Sequence, residues 1–232
     1  MPDKIIIHIP QKYNNYSNDY LFPQFSDERI IVNTEVTDYG PATKLLGIYN
    51  HKIYNHNIYN EMHQDNEDDD VIIIIDDDRI YNTNFIKNML TYHKLHMDKV
   101  LTVSGWDVET LSDKKYIIND KKQPRGVEFT TEGYIDFVGG CCGYLIPKQK
   151  CPFNSKDIFE LYPNDDKYYV DDIWISGFLT LNNTEIYLIP NAIYGDELRN
   201  QNNNISPLAD HTRAIKNLKC IEYFRENYQI WR

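Results

Sequence analysis

Two acidic clusters stand out because of where they sit in the chain. Asp76-Asp77-Asp78 follows directly on Val71-Ile72-Ile73-Ile74-Ile75, and Asp171-Asp172 opens a segment whose apolar residues recur at helical spacing. Three ionised carboxylates side by side repel one another, so keeping them together costs energy unless a cation or hydrogen-bond donors compensate. An all-oxygen donor set of this kind suits Mg²⁺ or Mn²⁺, which bridge protein carboxylates to a diphosphate and neutralise a departing nucleotide diphosphate. Acidity alone does not carry the argument, because Glu67-Asp68-Asp69-Asp70 is as acidic and reads as a solvated loop. The strand in front of 76–78 does: in open α/β sheets, ligands bind outside the carboxyl ends of strands. The competing reading is a solvated loop with one Asp capping the next helix. Asp171 and Asp172 have a similar rival, since an Asp at a helix N-terminus is a favourable cap stabilised by the dipole. Two adjacent carboxylates exceed what one cap requires.

The elements that must position these residues follow from periodicity. Strands are expected at 5–9, 30–33, 71–75, 100–103, 134–138, 143–146 and 186–189, the first and third as buried β-branched runs. Pro41, after Asp38-Tyr39-Gly40, opens a helix over 42–49. Phe85, Ile86, Met89, Leu90 and His93 predict a helix over 83–97. A short helix is expected at 157–161. Trp174, Ile175, Phe178 and Leu179 form the apolar face of a helix over 171–181. A closing helix spans 213–228 with Ile215, Leu218, Ile221 and Phe224 inward. Residues 50–70 read as loop, 105–133 as loop and hairpin, and the Asn-rich stretch 195–207 as a mobile loop. Strands alternating with helices in the first half imply a parallel sheet with right-handed crossovers, and the later strands an antiparallel addition.

Bulk properties narrow the function classes. A chain of 232 residues suits one domain with a full core. A hydrophobic fraction of 41% excludes general disorder. A net charge of −11 argues against a nonspecific nucleic-acid or anionic-membrane binder. It leaves room for a phosphate-bearing ligand, because a bound divalent cation reverses the local sign. Cys141, Cys142, Cys151 and Cys220 form no C-x-x-C pair, so no zinc knuckle or redox motif is suggested, and a reduced, cytoplasmic setting is expected. The opening Lys4-Ile5-Ile6-Ile7-His8 does not read as a signal peptide, and the run 71–75 is far too short for a membrane span.

Four motifs in order then carry a family resemblance: Asp38-x-Gly40-Pro41-x-x-Lys44-Leu45, Ile75-Asp76-Asp77-Asp78-x-x-Tyr81, Val138-Gly139-Gly140-Cys141-Cys142-Gly143, and Asp171-Asp172-Ile173-Trp174. Together they resemble bacterial and giant-virus glycosyltransferases of the GT-A fold, related to the family 2-like group. The resemblance implies an α/β chain with a single Rossmann-like domain over 1–232, built on a mixed, mostly parallel sheet with helices on both faces. Residues 1–104 would bind the nucleotide sugar and 105–232 the acceptor. It implies Asp76 and Asp78 as the ends of the D-x-D motif, with Asp78 the most direct metal ligand and Asp76 and Asp77 beside the donor. His8 and Pro10 resemble the start of the nucleotide pocket, with Asp38 and Lys44 nearby; Lys44 equally suits a surface helix position. Asp172, seconded by Asp171, resembles the base that takes the acceptor hydroxyl's proton in inverting members. His211 resembles a late histidine that completes the metal site, with Asp210 competing for that place. Gly139 and Gly140 would admit a sugar close to the backbone, or else form a tight turn. Trp106 is a sugar platform or a core residue.

The expected activity is transfer of a sugar from a nucleotide diphosphate sugar, UDP-linked by preference, to a glycan or glycoprotein hydroxyl, using Mn²⁺ or Mg²⁺. A viral chain of this kind would work in the host cytoplasm. A nucleotidyltransferase would place a Gly-rich basic loop after the first strand, where Gln11-Lys12-Tyr13-Asn14-Asn15 stands instead. A sugar- or partner-binding module without turnover is the non-enzymatic rival.

Overall fold

A computed structural model describes residues 1–12, 22–49, 70–77, 79–112, 132–151, 170–190 and 212–232. The described residues up to 49 belong to one compact unit, and those from 70 onward to a second.

In the first unit, β1 (Ile5–His8) pairs in parallel with β2 (Ile30–Asn33), with His8 opposite Asn33. A 3-10 turn at Gly40–Ala42 leads into α1 (Thr43–Leu46), and a second turn at Gly47–Tyr49 closes it. Pro41 sits in the first turn, where its missing N–H costs nothing. The Asp38 carboxylate accepts the Gly40 N–H at 2.8 Å, and Gly40 turns the chain at φ +57°. Ala42, Leu45 and Leu46 are completely buried. The expectation that β1 is a central strand buried on both faces fails: Ile5 is 37% exposed and β2 is its only strand partner among the described residues. A β-branched run signals extended backbone; it does not say how many neighbours the strand acquires.

The second unit holds a five-stranded sheet in the order β3-β8-β4-β9-β6 among the described residues. Its strands are β3 (Val71–Ile74), β4 (Val100–Thr102), β6 (Gly133–Ile135), β8 (Tyr144–Pro147) and β9 (Ile186–Leu188). Between them in sequence, β5 (Gly105–Trp106) pairs with β7 (Phe137–Val138) as a separate antiparallel ribbon. Within this sheet, among the described residues, only β4 and β9 pair in parallel; β8 runs antiparallel to both β3 and β4, and β6 antiparallel to β9. The fold is therefore mixed α/β, and the expected mostly parallel sheet is corrected to a mostly antiparallel one. The cause is β8, which inserts between two strands joined in sequence by a helix.

That helix is α2 (Phe85–His93), shorter at both ends than expected. Its Phe85 and Met89 pack on Leu101, Val103 and Leu145, with Val71 and Ile73 alongside. Ile73, Leu145, Leu101 and Tyr187 lie on one row across the sheet, so the period of two gives α2 a continuous apolar face. The opposite row is covered as well, for Tyr144, Thr102 and Leu188 are completely buried.

α3 (Val108–Ser112) lies where loop was expected; the Asp136 carboxylate accepts the Val108 N–H at 2.7 Å and fixes its start. α4 (Asp171–Leu181) and α5 (Arg213–Tyr228) have the expected bounds. They meet at Gly177, where an added Cβ would lie 2.2 Å from the Phe224 ring. On α5 the inward residues are Cys220, Ile221 and Phe224, while Ile215 is 48% exposed, against expectation. Among the described residues, no helix is long and apolar enough to cross a membrane. The expected helix at 157–161 and the loops over 50–69, 113–131 and 195–207 lie outside the described residues.

Candidate active site

β3 delivers Asp76 and Asp77 at its carboxyl end. Ile74 is anchored in the core, Ile75 is 47% exposed, Asp76 is half-buried and Asp77 is exposed. The run of isoleucines thus ends by leaving the sheet, and the carboxylates come out with it. Asp78 and His211, two of the three expected metal ligands, lie outside the described residues, as does Asp210. Among the described residues, no three His, Cys, Asp or Glu side chains converge on a metal site.

The tip of β3 is tied to the Gly139–Gly143 turn through Tyr81. Its hydroxyl accepts the Asp76 N–H at 3.0 Å and donates to the Cys141 carbonyl at 3.5 Å. Burial pushes the Tyr81 phenol well above its usual range, and the hydrogen bond from Asp76 only partly opposes this, so the group stays protonated. The turn itself is built by glycine. The Gly139 N–H reaches the Ser104 carbonyl at 2.7 Å, and a Cβ at Gly139 would fall 2.2 Å from Ser104 Oγ. Gly139 therefore has a packing reason of its own, and Gly140 is buried in the 3-10 turn Gly140–Cys142.

The first turn of α4, with Asp172, is joined through Ser176 to Val138, the residue before that turn. The Cys141 thiol is pushed up, first by its hydrogen bond with Cys142, then by burial and by the charges of Cys142 and Asp172, while Arg79 acts in the opposite direction. The two sulfurs are 3.5 Å apart, and both cysteines are reduced. A thiol held protonated is a poor metal ligand. The hard donors at this corner are carboxylates, and Asp76 and Asp77 fit a hard divalent cation. Neither Asp171 nor Asp172 is the N-cap of α4; Val170 holds that position, with no side-chain cap. Asp171 is buried at 3% exposure, whereas Asp172 is half-buried in the first turn, where the helix dipole favours its charge. Ser176 fixes this turn by donating to the Asp172 carbonyl at 2.6 Å and accepting the Val138 N–H at 3.1 Å.

The structure thus brings Asp76, Tyr81, Arg79, Cys141 and Asp172 into one electrostatic neighbourhood. Of these, sequence reasoning named Asp76 and Asp172 as site residues. Tyr81, Arg79 and Cys141 were missed, although Tyr81 and Cys141 stand inside the quoted motifs. Trp106 is half-buried on β5 opposite Phe137, beside the core rather than fully inside it.

The remaining expected residues lie in the first unit. His8 is engaged internally: Asn33 Nδ2 donates to its Nδ1 at 3.0 Å, and also approaches the Gly47 carbonyl at 3.4 Å. Asn33 Oδ1 accepts the Glu35 N–H at 3.2 Å, which fixes the orientation of the amide. Nδ1 is then an acceptor and the imidazole neutral, in agreement with burial lowering its pKa to about 4. Gly47 lies against the ring, since a Cβ there would come within 2.5 Å of Nδ1. Pro10 is buried, Lys44 is half-buried on α1, and Asp38 serves the turn before Pro41. Compared with known proteins, the chain matches no family model and no curated relative.

Proposed function

We propose that the chain is a metal-dependent glycosyltransferase of the GT-A type, moving a sugar from a nucleotide diphosphate sugar, UDP-linked by preference, to an acceptor hydroxyl. The observation that supports this best is the approach of two carboxylate-bearing ends to one turn. Asp76, at the end of β3, is hydrogen-bonded by its N–H to Tyr81 and through it to Cys141, and the first turn of α4, which carries Asp172, is hydrogen-bonded through Ser176 to Val138 just before that turn. Transfer needs two negative functions close together: one that holds the diphosphate end of the donor and one that takes a proton.

In this reading Asp78 and Asp76 would hold Mn²⁺ or Mg²⁺, with Asp77 beside the donor. The ion supplies charge neutralisation for the nucleotide diphosphate as it leaves. Arg79, next in sequence to the acidic run and acting electrostatically on Cys141, would add a positive charge suited to phosphate oxygens. Asp172 accepts the proton of the acceptor hydroxyl as that oxygen attacks the anomeric carbon, and the configuration inverts. Its place in the first helical turn favours the charged form, so it is a modest base that relies on orientation. Pro10, Asp38 and Lys44 would serve the nucleotide end of the donor, whereas His8, held by Asn33 against Gly47, serves the fold. Trp106, Gly139 and Gly140 would face the sugar and acceptor, and His211 would complete the metal site. The acceptor would be a glycan or glycoprotein, and the compartment the cytoplasm.

Calorimetry with UDP, with and without Mn²⁺, tests the reading. Metal-dependent UDP binding together with transfer from a UDP-sugar panel is the expected result. UDP binding without transfer or donor hydrolysis would leave a binding module, and no metal-dependent nucleotide binding would end the glycosyltransferase assignment.

A further inference from the structure

We infer that Tyr81 is a positioning residue for the acidic corner, acting through the backbone of Asp76 and touching no substrate; the inference rests on the proposed metal and diphosphate site. Three segments meet at its hydroxyl. The Asp76 N–H donates to it at 3.0 Å, and it donates to the Cys141 carbonyl at 3.5 Å, so the phenol uses both its acceptor and its donor capacity. The ring is held independently of the hydroxyl: its centroid lies 4.8 Å from that of Phe85, and it packs against the core beneath α2. Gly143 makes room for both rings. It adopts φ +87°, and a Cβ there would come within 2.8 Å of Phe85 and 3.3 Å of the Tyr81 ring.

The arrangement has a mechanical consequence. Beyond Ile74 the chain has left the sheet, and ladder hydrogen bonds no longer fix it. The Tyr81 hydroxyl takes over at Asp76, the first residue of the acidic run, and ties it to the turn at Cys141. A carboxylate whose backbone is held at one position binds a cation without first losing that freedom, which is the advantage of a preorganised site.

Tyr81→Phe keeps the ring and removes only the tie. The test is titration of Mn²⁺ and UDP into the full chain, for the wild type, Tyr81→Phe and Phe85→Leu, with melting temperatures recorded. Tyr81→Phe is expected to weaken metal-dependent UDP binding about tenfold, the effect of one lost hydrogen bond. Phe85→Leu loosens the same core but retains the hydroxyl, and is expected to bind like the wild type at a lower melting temperature. Equal weakening in both variants would reduce Tyr81 to a core residue, and unchanged binding in Tyr81→Phe would overturn the inference while leaving the transferase reading standing. A wild type without metal-dependent UDP binding would overturn both. If Tyr81→Phe does not fold, Tyr81→4-aminophenylalanine replaces it, since its nitrogen donates but accepts poorly. The same direction of loss is expected, and wild-type affinity would overturn the inference.

Discussion

The polar residues around His8 and those around Asp76 are handled in opposite ways. At His8 every group that can be followed is turned inward: Asn33 spends its amide on His8, Gly47 and Glu35, and Gly47 gives up its side chain to the imidazole. At Asp76 the backbone is tied down by Tyr81, while the carboxylates emerge with the chain and Asp77 is exposed. A group whose partners are all internal contributes to folding; at Asp76 the tie to Tyr81 is made by the backbone N–H, and the neighbouring Asp77 is exposed. The contrast separates residues a sequence reading lumps together as polar residues at strand ends.

The largest effect is expected at Asp172. Asp172→Asn is expected to lower sugar transfer roughly a thousandfold, the scale of a lost general base, with Mn²⁺-dependent UDP binding retained. Full turnover in that variant would remove the base from the mechanism. Next is the titration of His8. Burial lowers its folded pKa to about 4 from an ordinary 6.5, so between those values the unfolded chain binds more protons than the folded one. Stability is therefore complete above pH 6.5 and falls as pH drops towards 4, by about 3 kcal/mol. Denaturant melts at pH 7 and pH 4 would reveal this as a loss absent from His8→Gln, and equal losses in the two proteins would open the supposedly closed node.

Gly47→Ala comes third. The new methyl meets the imidazole at 2.5 Å, an overlap that costs about 1–3 kcal/mol even if the ring shifts. A shift in the denaturation midpoint with unchanged slope would report it. The smallest effect is expected at Asp77→Asn, where an exposed carboxylate is removed and stability changes by less than about 0.5 kcal/mol. Metal-dependent UDP binding should nonetheless weaken, and a variant identical to wild type in both measurements would return Asp77 to the role of solvated loop.

Much of the local structure was legible. Helices 171–181 and 213–228 and the strand 30–33 match the expected bounds, because apolar spacing is written within a few residues of each element. Strand partners were not legible. The strand expected as a buried run over 71–75 forms, as β3, one edge of the sheet among the described residues, and the segment 134–138 divides at Asp136 between β6 and β7. Both errors share a cause: pairing depends on segments far away in sequence, here β8 and β5. The site followed the same division. Asp76 and Asp172 were visible from residue type and position, whereas Tyr81 has no marker of its own, since a tyrosine near a helix start is unremarkable until its hydroxyl finds Asp76 and Cys141.

The sequence by itself determined where strands and helices run and which ends carry charge, because backbone preference and apolar periodicity are local properties. Only the tertiary structure decided that His8 is a neutral internal acceptor, that β8 divides β3 from β4, and that Asp76 and Asp172 approach one cysteine turn. Burial, hydrogen-bond closure and charge proximity depend on distances in space, and residues almost a hundred positions apart acquire those only when the chain has packed.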